Sequence, residues 1–157
     1  MPDDYDRLCS ALADVQQRAT RLPWAKERPW KTSEQVRQVE GVPTVDLHGL
    51  SISLGQQATE AALAALPSLD AAAVMFITGR GRHTGGISRL KETVNRQVLA
   101  AARENGWTAS PRGPGRMLVV ADPSKAPSAA SGRLPVGFWL VVLLIVAAIA
   151  AVIYNRM

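Results

Sequence analysis

The chain has 157 residues, a formal net charge of +5, 47% hydrophobic residues and a single cysteine, Cys9. That length leaves room for one compact domain with extensions, in which about 80 to 120 residues suffice to bury a core. A lone cysteine excludes an intrachain disulfide and a cysteine-type zinc site, which suits a reducing compartment.

The first residues, Met1-Pro2-Asp3-Asp4-Tyr5-Asp6, are acidic and have neither a basic nor an apolar signal region, so a cytoplasmic body is expected. From Tyr5 onward Leu8, Leu12, Val15, Ala19 and Leu22 recur at steps of three and four, which predicts one amphipathic helix with Asp3 or Asp4 as its N-cap. One run of this length falls short of a coiled coil, so the stripe is expected to pack on the chain's own domain. Pro23 ends the helix, and Trp24, Lys26, Arg28, Trp30 and Lys31 then alternate aromatic and cationic side chains. Such a pattern can stack on exposed bases; it can equally pin an arm onto the domain, which is the commoner use. Thr32 to Glu40 is polar and compatible with a helix, and Gly41-Val42-Pro43 marks a boundary.

Thr44-Val45-Asp46-Leu47-His48-Gly49 alternates as a strand, with Val45 and Leu47 on one face and Asp46 and His48 on the other, about 7 Å apart. Ser53 to Leu66 reads as a helix, with Ser53 and Gln56 in capping-box spacing and Pro67 at its exit. An apolar run, Ala71 to Ile77, supplies the next strand. Strand, helix and strand over this length imply a crossover that leaves the two strands parallel. Parallel strands finish at one edge, so the Asp46/His48 end meets the segment after Thr78, in the position where open α/β sheets bind ligands.

That segment is Gly79-Arg80-Gly81-Arg82-His83-Thr84-Gly85-Gly86, and it leads into a helix marked by Ile87, Leu90, Val94, Val98 and Ala101. Glycines admit an anion close to backbone amides, a helix start adds unpaired N–H groups, and Arg80 and Arg82 add full charges. The loop therefore reads as a phosphate cradle, although a tight turn explains its glycines as well and the fingerprint G-x-G-x-x-G fits only loosely, with Thr84 in its last position. His48 and His83, the only histidines, both fall at this edge. Between Arg80 and Arg116 eight Lys or Arg face only Glu92 and Glu104, a footprint for a polyanion or else a solvated helix face.

Asn105-Gly106 is a helix C-cap pair, Trp107-Thr108-Ala109 begins a third strand, and Met117 to Val120 makes a fourth after the turn Pro111-Arg112-Gly113-Pro114-Gly115. The expected fold is an α/β two-layer sandwich of order β-α-β-α-β-β over residues 44–122, with the helix and Trp/basic arm of 1–43 before it. Residues 123–135, rich in Pro, Ser, Ala and Gly, read as a flexible linker. Val136 to Tyr154 carries no charge and is roughly 29 Å long as a helix, enough to cross a bilayer, with Phe138, Trp139 and Tyr154 at interfacial positions.

Asp46-Leu47-His48-Gly49, Thr78-Gly79-Arg80-Gly81-Arg82-His83-Thr84 and the Gly113-Pro114-Gly115 strand together resemble the small MutS-related (Smr) domain, over about Val42 to Ala121. The resemblance implies a fold similar to the C-terminal domain of bacterial translation initiation factor three, and nucleic-acid binding or endonuclease activity: some members nick DNA, others cleave messenger RNA at stalled ribosomes. It also implies that Asp46, Leu47 and His48 form the cleavage motif and that Thr78, Gly79, Gly81 and His83 belong to the binding loop. Thr84 stands where the family usually has serine.

On this reading the protein is a membrane-anchored endonuclease, with RNA, DNA or the ribosome as partner and the lipid bilayer engaged through residues 136–154. In RNA cleavage His48, supported by Asp46, takes the 2′-hydroxyl proton and His83 or water protonates the leaving oxygen. Thr78, Gly79, Arg80, Gly81, Arg82, Thr84 and Gly85, with Arg112 and Arg116 at the basic hairpin, hold phosphate. A magnesium ion on Asp46 is the rival arrangement. The alternative function is a non-catalytic adaptor that docks nucleic acid or ribosomes at the membrane.

Overall fold

The computed structural model describes residues 3–21, 29–79 and 89–125. Five strands form one sheet in the order β1-β2-β3-β5-β4: β1 (Val36–Val39), β2 (Val42–Asp46), β3 (Ala73–Ile77), β4 (Thr108–Pro111) and β5 (Arg116–Val120). Strands β2 and β3 are parallel, with Thr44 opposite Met75 and Asp46 opposite Ile77. The other neighbours are antiparallel.

The amphipathic stripe at the N-terminus is helical but interrupted. Helices α1 (Asp4–Ala11) and α2 (Ala13–Ala19) meet at Leu12, whose φ of −94° and ψ of 1° leave the helical well, so the single predicted helix is two. Bonds from Leu12 N to Leu8 O and from Gln16 N to Leu12 O keep the stripe in phase across the break. Leu8, Leu12, Val15 and Ala19 accordingly enter the main core together, and the helix pair packs in cis, α1 on β1 and both helices on α4 (Ile52–Ala65).

Asp3 is the N-cap, accepting from Asp6 N at 2.8 Å. Asp4 instead turns inward. Its buried carboxylate accepts from Asp70 N at 2.6 Å and Ala71 N at 3.0 Å, while Arg7 bonds Ser68 O and the Asp70 carboxylate. Alanine at Asp4 leaves two backbone donors without an acceptor and is expected to destabilise the chain by about 2 kcal/mol. Alanine at Asp70, whose side chain is 75% exposed, is expected to change stability by less than about 1 kcal/mol, and urea unfolding of the two variants checks the contrast.

Of the Trp/basic arm, Trp24, Lys26 and Arg28 lie outside the described residues. Trp30 does not present a stacking face: it is buried, and its indole N–H donates to Asp46 O at 2.9 Å. Thr32 donates from both its backbone N–H and its hydroxyl to Gln16 Oε1, which ties the arm to α2. Only one helical turn, α3 (Thr32–Gln35), forms where the sequence is compatible with a longer polar helix. Residues 36–39 are extended instead, because the Glu40-Gly41 turn, with φ of 55° and 76°, folds them back onto β2 as a hairpin. The sheet thereby gains a strand beyond the four expected.

Helix α4 is capped by Ser51, whose hydroxyl accepts from Leu54 N, rather than by Ser53, whose hydroxyl accepts from Gln57 on the helix surface. Helix α5 (Arg89–Asn105) buries Val94, Val98 and Ala102 and ends at Gly106, whose φ of 69° lets Trp107 N reach back to Ala102 O. Helix residues share one core with Val36, Val45, Val74, Phe76, Met117 and Val119. The intervening strand positions, Val42, Ala73, Met75, Leu118 and Val120, form a second, smaller cluster on the opposite face of the sheet. The result is a mixed α/β fold with a five-stranded sheet.

Candidate functional site

The parallel pairing of β2 and β3 brings the two strand exits together. Leu47 N extends the ladder by donating to Ile77 O at 2.8 Å, and Thr78 N donates to Gly115 O at 2.9 Å, so three chain segments converge at one edge.

Asp46 is the last residue of β2, and its alternation with Val45 puts its side chain on the face away from the helices. The predicted continuation of the strand through His48 does not occur. Asp46 Oδ1 accepts from His48 N at 2.9 Å, and this short-range turn, followed by Gly49 at φ 89°, bends the chain out of the sheet. The two residues therefore do not share a strand face; the carboxylate grips the histidine's main chain. Asp46 Oδ2 lies 3.6 Å from Arg37 Nη2 across the β1–β2 pair, and Asp46 O takes the Trp30 N–H. Asp46, its side chain only 18% exposed, is thus held at three points, next to an exposed His48.

Gly79, at φ 77°, lies under the imidazole: a Cβ there would sit 3.2 Å from His48 Nδ1. Thr78, expected among the phosphate ligands, is 5% exposed, and its hydroxyl as well as its N–H donates to Gly115 O. It lies beneath the site as part of its frame. Arg116 pairs with Ile77, which also pairs with Asp46, so Arg116 and Asp46 flank one residue in the same row, roughly 10 Å apart by two strand spacings. Arg112 and Arg116 line a cavity of about 180 Å³ with Val39, Glu40, Val42, Met75 and Leu118. Arg80, Gly81, Arg82, His83, Thr84 and Gly85 lie outside the described residues, as does the apolar span 136–154. Among the described residues no helix is long and apolar enough to cross a membrane.

Sequence reasoning brings Asp46, His48 and Gly79 to one edge but misses Arg37 and Trp30. Arg37 depends on β1, since a strand at 36–39 puts it beside Thr44 by register alone, and Trp30 reaches Asp46 O from the segment before α3. A resident magnesium ion fits the described residues poorly. Asp46 already engages His48 N and faces Arg37, and no cluster of three or more potential ligands lies among the described residues.

Comparison of the chain with family models, with curated proteins and with solved structures finds no match to any of them.

Proposed function

We propose that this chain is a membrane-anchored, Smr-like endonuclease that cleaves RNA. The observation that carries the reading is the juxtaposition of His48 and Gly79, the first glycine of a basic loop, at the common exit of two parallel strands. An exposed imidazole beside Gly79, from which the sequence runs on as Arg80-Gly81-Arg82, has the residue types needed for phosphodiester transesterification. His48 removes the proton of a ribose 2′-hydroxyl; the new 2′-O–P bond forms as the P–O5′ bond breaks, and the 5′-oxygen takes a proton from His83 or water. Asp46 acts on His48 through the main chain, fixing where the imidazole stands. Arg80, Arg82 and Arg116 balance charge on the phosphoryl oxygens.

The anchor is the charge-free span 136–154, with the domain on the cytoplasmic side, as Lys125 and Arg133 before the span against Arg156 after it favour. A linker of residues 123–135 reaches about 20 Å as a coil and about 45 Å at most, so the substrate comes to the membrane. RNA on ribosomes at that surface is the supply this geometry favours.

The test uses the full chain recovered from the membrane fraction after carbonate washing, with end-labelled RNA, the same RNA carrying one 2′-deoxy position, and DNA, each with and without chelator. Cutting of RNA that stops at the 2′-deoxy position and survives chelation is expected. Cutting of DNA would defeat the 2′-hydroxyl mechanism, and binding without cutting would leave the adaptor reading in its place. Release of the chain by carbonate would remove the anchor. In binding assays, alanine at Arg80 or Arg82 is expected to weaken all sequences alike and to lower the slope of log affinity against log salt by about 0.7 for each phosphate no longer neutralised. An unchanged slope would move the phosphate face elsewhere.

A further inference from the structure

The turn before β5 holds two glycines with left-handed backbone and opposite surroundings. Gly113, at φ 102°, has open space where a side chain would go: nothing lies within 4 Å of a Cβ built there. Gly115, at φ 71°, is buried, and a Cβ built on it would collide with the Gly79 carbonyl oxygen and lie 2.8 Å from the Gly79 carbonyl carbon and 3.3 Å from its nitrogen. These neighbours are backbone and cannot swing aside as a flexible side chain could. Gly115 O also accepts both the N–H and the hydroxyl of Thr78, so the residue grips the end of β3 from two directions.

The packing continues to the imidazole. Gly79 rests against the Gly115 backbone on one side and faces His48 Nδ1 on the other, where a Cβ of its own would stand at 3.2 Å. His48 in turn is tethered at its N–H by Asp46, which Arg37 and Trp30 hold. The entry of β5, the exit of β3 and the exit of β2 therefore follow one another, backbone against backbone at Gly115 and Gly79 and backbone against imidazole at Gly79 and His48, in the order in which these strands lie in the sheet.

We infer that Gly115 is a positioning residue for His48, acting through Gly79: it lets β5 enter close enough to seat Gly79, which sets the height and tilt of the imidazole above it. The inference rests on the proposed role of His48 for its meaning in cleavage, but its geometry does not. A side chain at Gly115 pushes Gly79 toward His48 and moves the imidazole. A side chain at Gly113 brings the same left-handed strain to the same turn and pushes on nothing.

That contrast supplies the experiment. The full chain, isotopically labelled at histidine, contains two imidazoles, and His83→Gln assigns the other signal set to His48. In Gly115→Ala the His48 ring resonances are expected to shift, while in Gly113→Ala they overlay the wild type. Cleavage by Gly115→Ala is expected to fall about 100-fold in kcat with KM unchanged, as for a reacting group displaced by about an ångström, and Gly113→Ala should keep wild-type kcat. If Gly115→Ala does not fold, Thr78→Val, which removes one of the two bonds to Gly115 O, is expected to move the His48 signals by a smaller amount. Unmoved His48 resonances in the folded Gly115 variant, or in Thr78→Val where it stands in, overturn the inference, as do equal movements in Gly113→Ala and Gly115→Ala. A wild type that cuts nothing defeats the proposed activity alone, since the spectra still decide whether Gly115 seats His48.

Discussion

Alanine in place of His48 is expected to lower RNA cleavage by about 10²- to 10⁴-fold, the usual contribution of a general base, with nucleic-acid affinity almost unchanged. The division follows from the site's layout. His48 is exposed and bends out of the sheet at Gly49, whereas the cationic groups assigned to phosphate belong to other segments, on the loop after Gly79 and at the entry of β5. Asp46 separates two further possibilities. In Asp46→Asn an amide oxygen can still accept the His48 N–H, but the negative charge facing Arg37 at 3.6 Å is gone; in Asp46→Ala both are removed. If Asp46 works by fixing the main chain of His48, the asparagine variant retains most of the rate and the alanine variant does not. If its charge is what matters, both fall together. Single-turnover cleavage alongside filter binding measures the split, and parallel loss of rate and affinity in the His48 variant would contradict its role as base.

How far such a site can be read from sequence depends on whether each feature is local. The D-x-H and T-G elements fall at one edge because a strand, a helix and a strand of these lengths leave little choice but parallel pairing, and Thr44 does lie opposite Met75. Helices α4 and α5 show their apolar periods plainly, and Gly106 marks the end of α5, whereas the cap of α4 falls on Ser51 and not on Ser53, two residues along. Strand β1 is not legible, since Val36-Arg37-Gln38-Val39 is half polar and owes its extended state to a partner strand and to the Glu40-Gly41 turn. The relation of Asp46 to His48 departs from expectation for a similar reason. Alternation assumes that the strand continues, but an aspartate can end it by accepting the N–H two residues on. Gly115 lies beyond any local pattern: its need for a missing side chain comes from Gly79, which only the assembled sheet brings near.

The second large effect is expected at Trp30, where stability and the site meet. The indole is 4% exposed, sits in the main core and donates to Asp46 O, so Trp30→Ala removes a large buried ring and leaves a carbonyl at the edge of the site without its donor. Large-to-small changes of this kind cost about 3 to 5 kcal/mol, against about 5 to 15 kcal/mol for the stability of a whole domain. The alanine variant should therefore unfold at markedly lower urea concentration, with the arm before α3 loosened. Trp30→Phe keeps most of the apolar volume but has no N–H to give, so it is expected to lose only about 1 kcal/mol of stability for the missing bond. Its rate of cleavage should nonetheless fall by more than its stability suggests, because Asp46 O is one of three points that hold the aspartate, and through it His48, in place. Wild-type kcat in a folded Trp30→Phe chain would show that Arg37 and the turn to His48 fix Asp46 without the indole. A drop in kcat at unchanged affinity would show that the buried Trp30 sets the site's geometry from below.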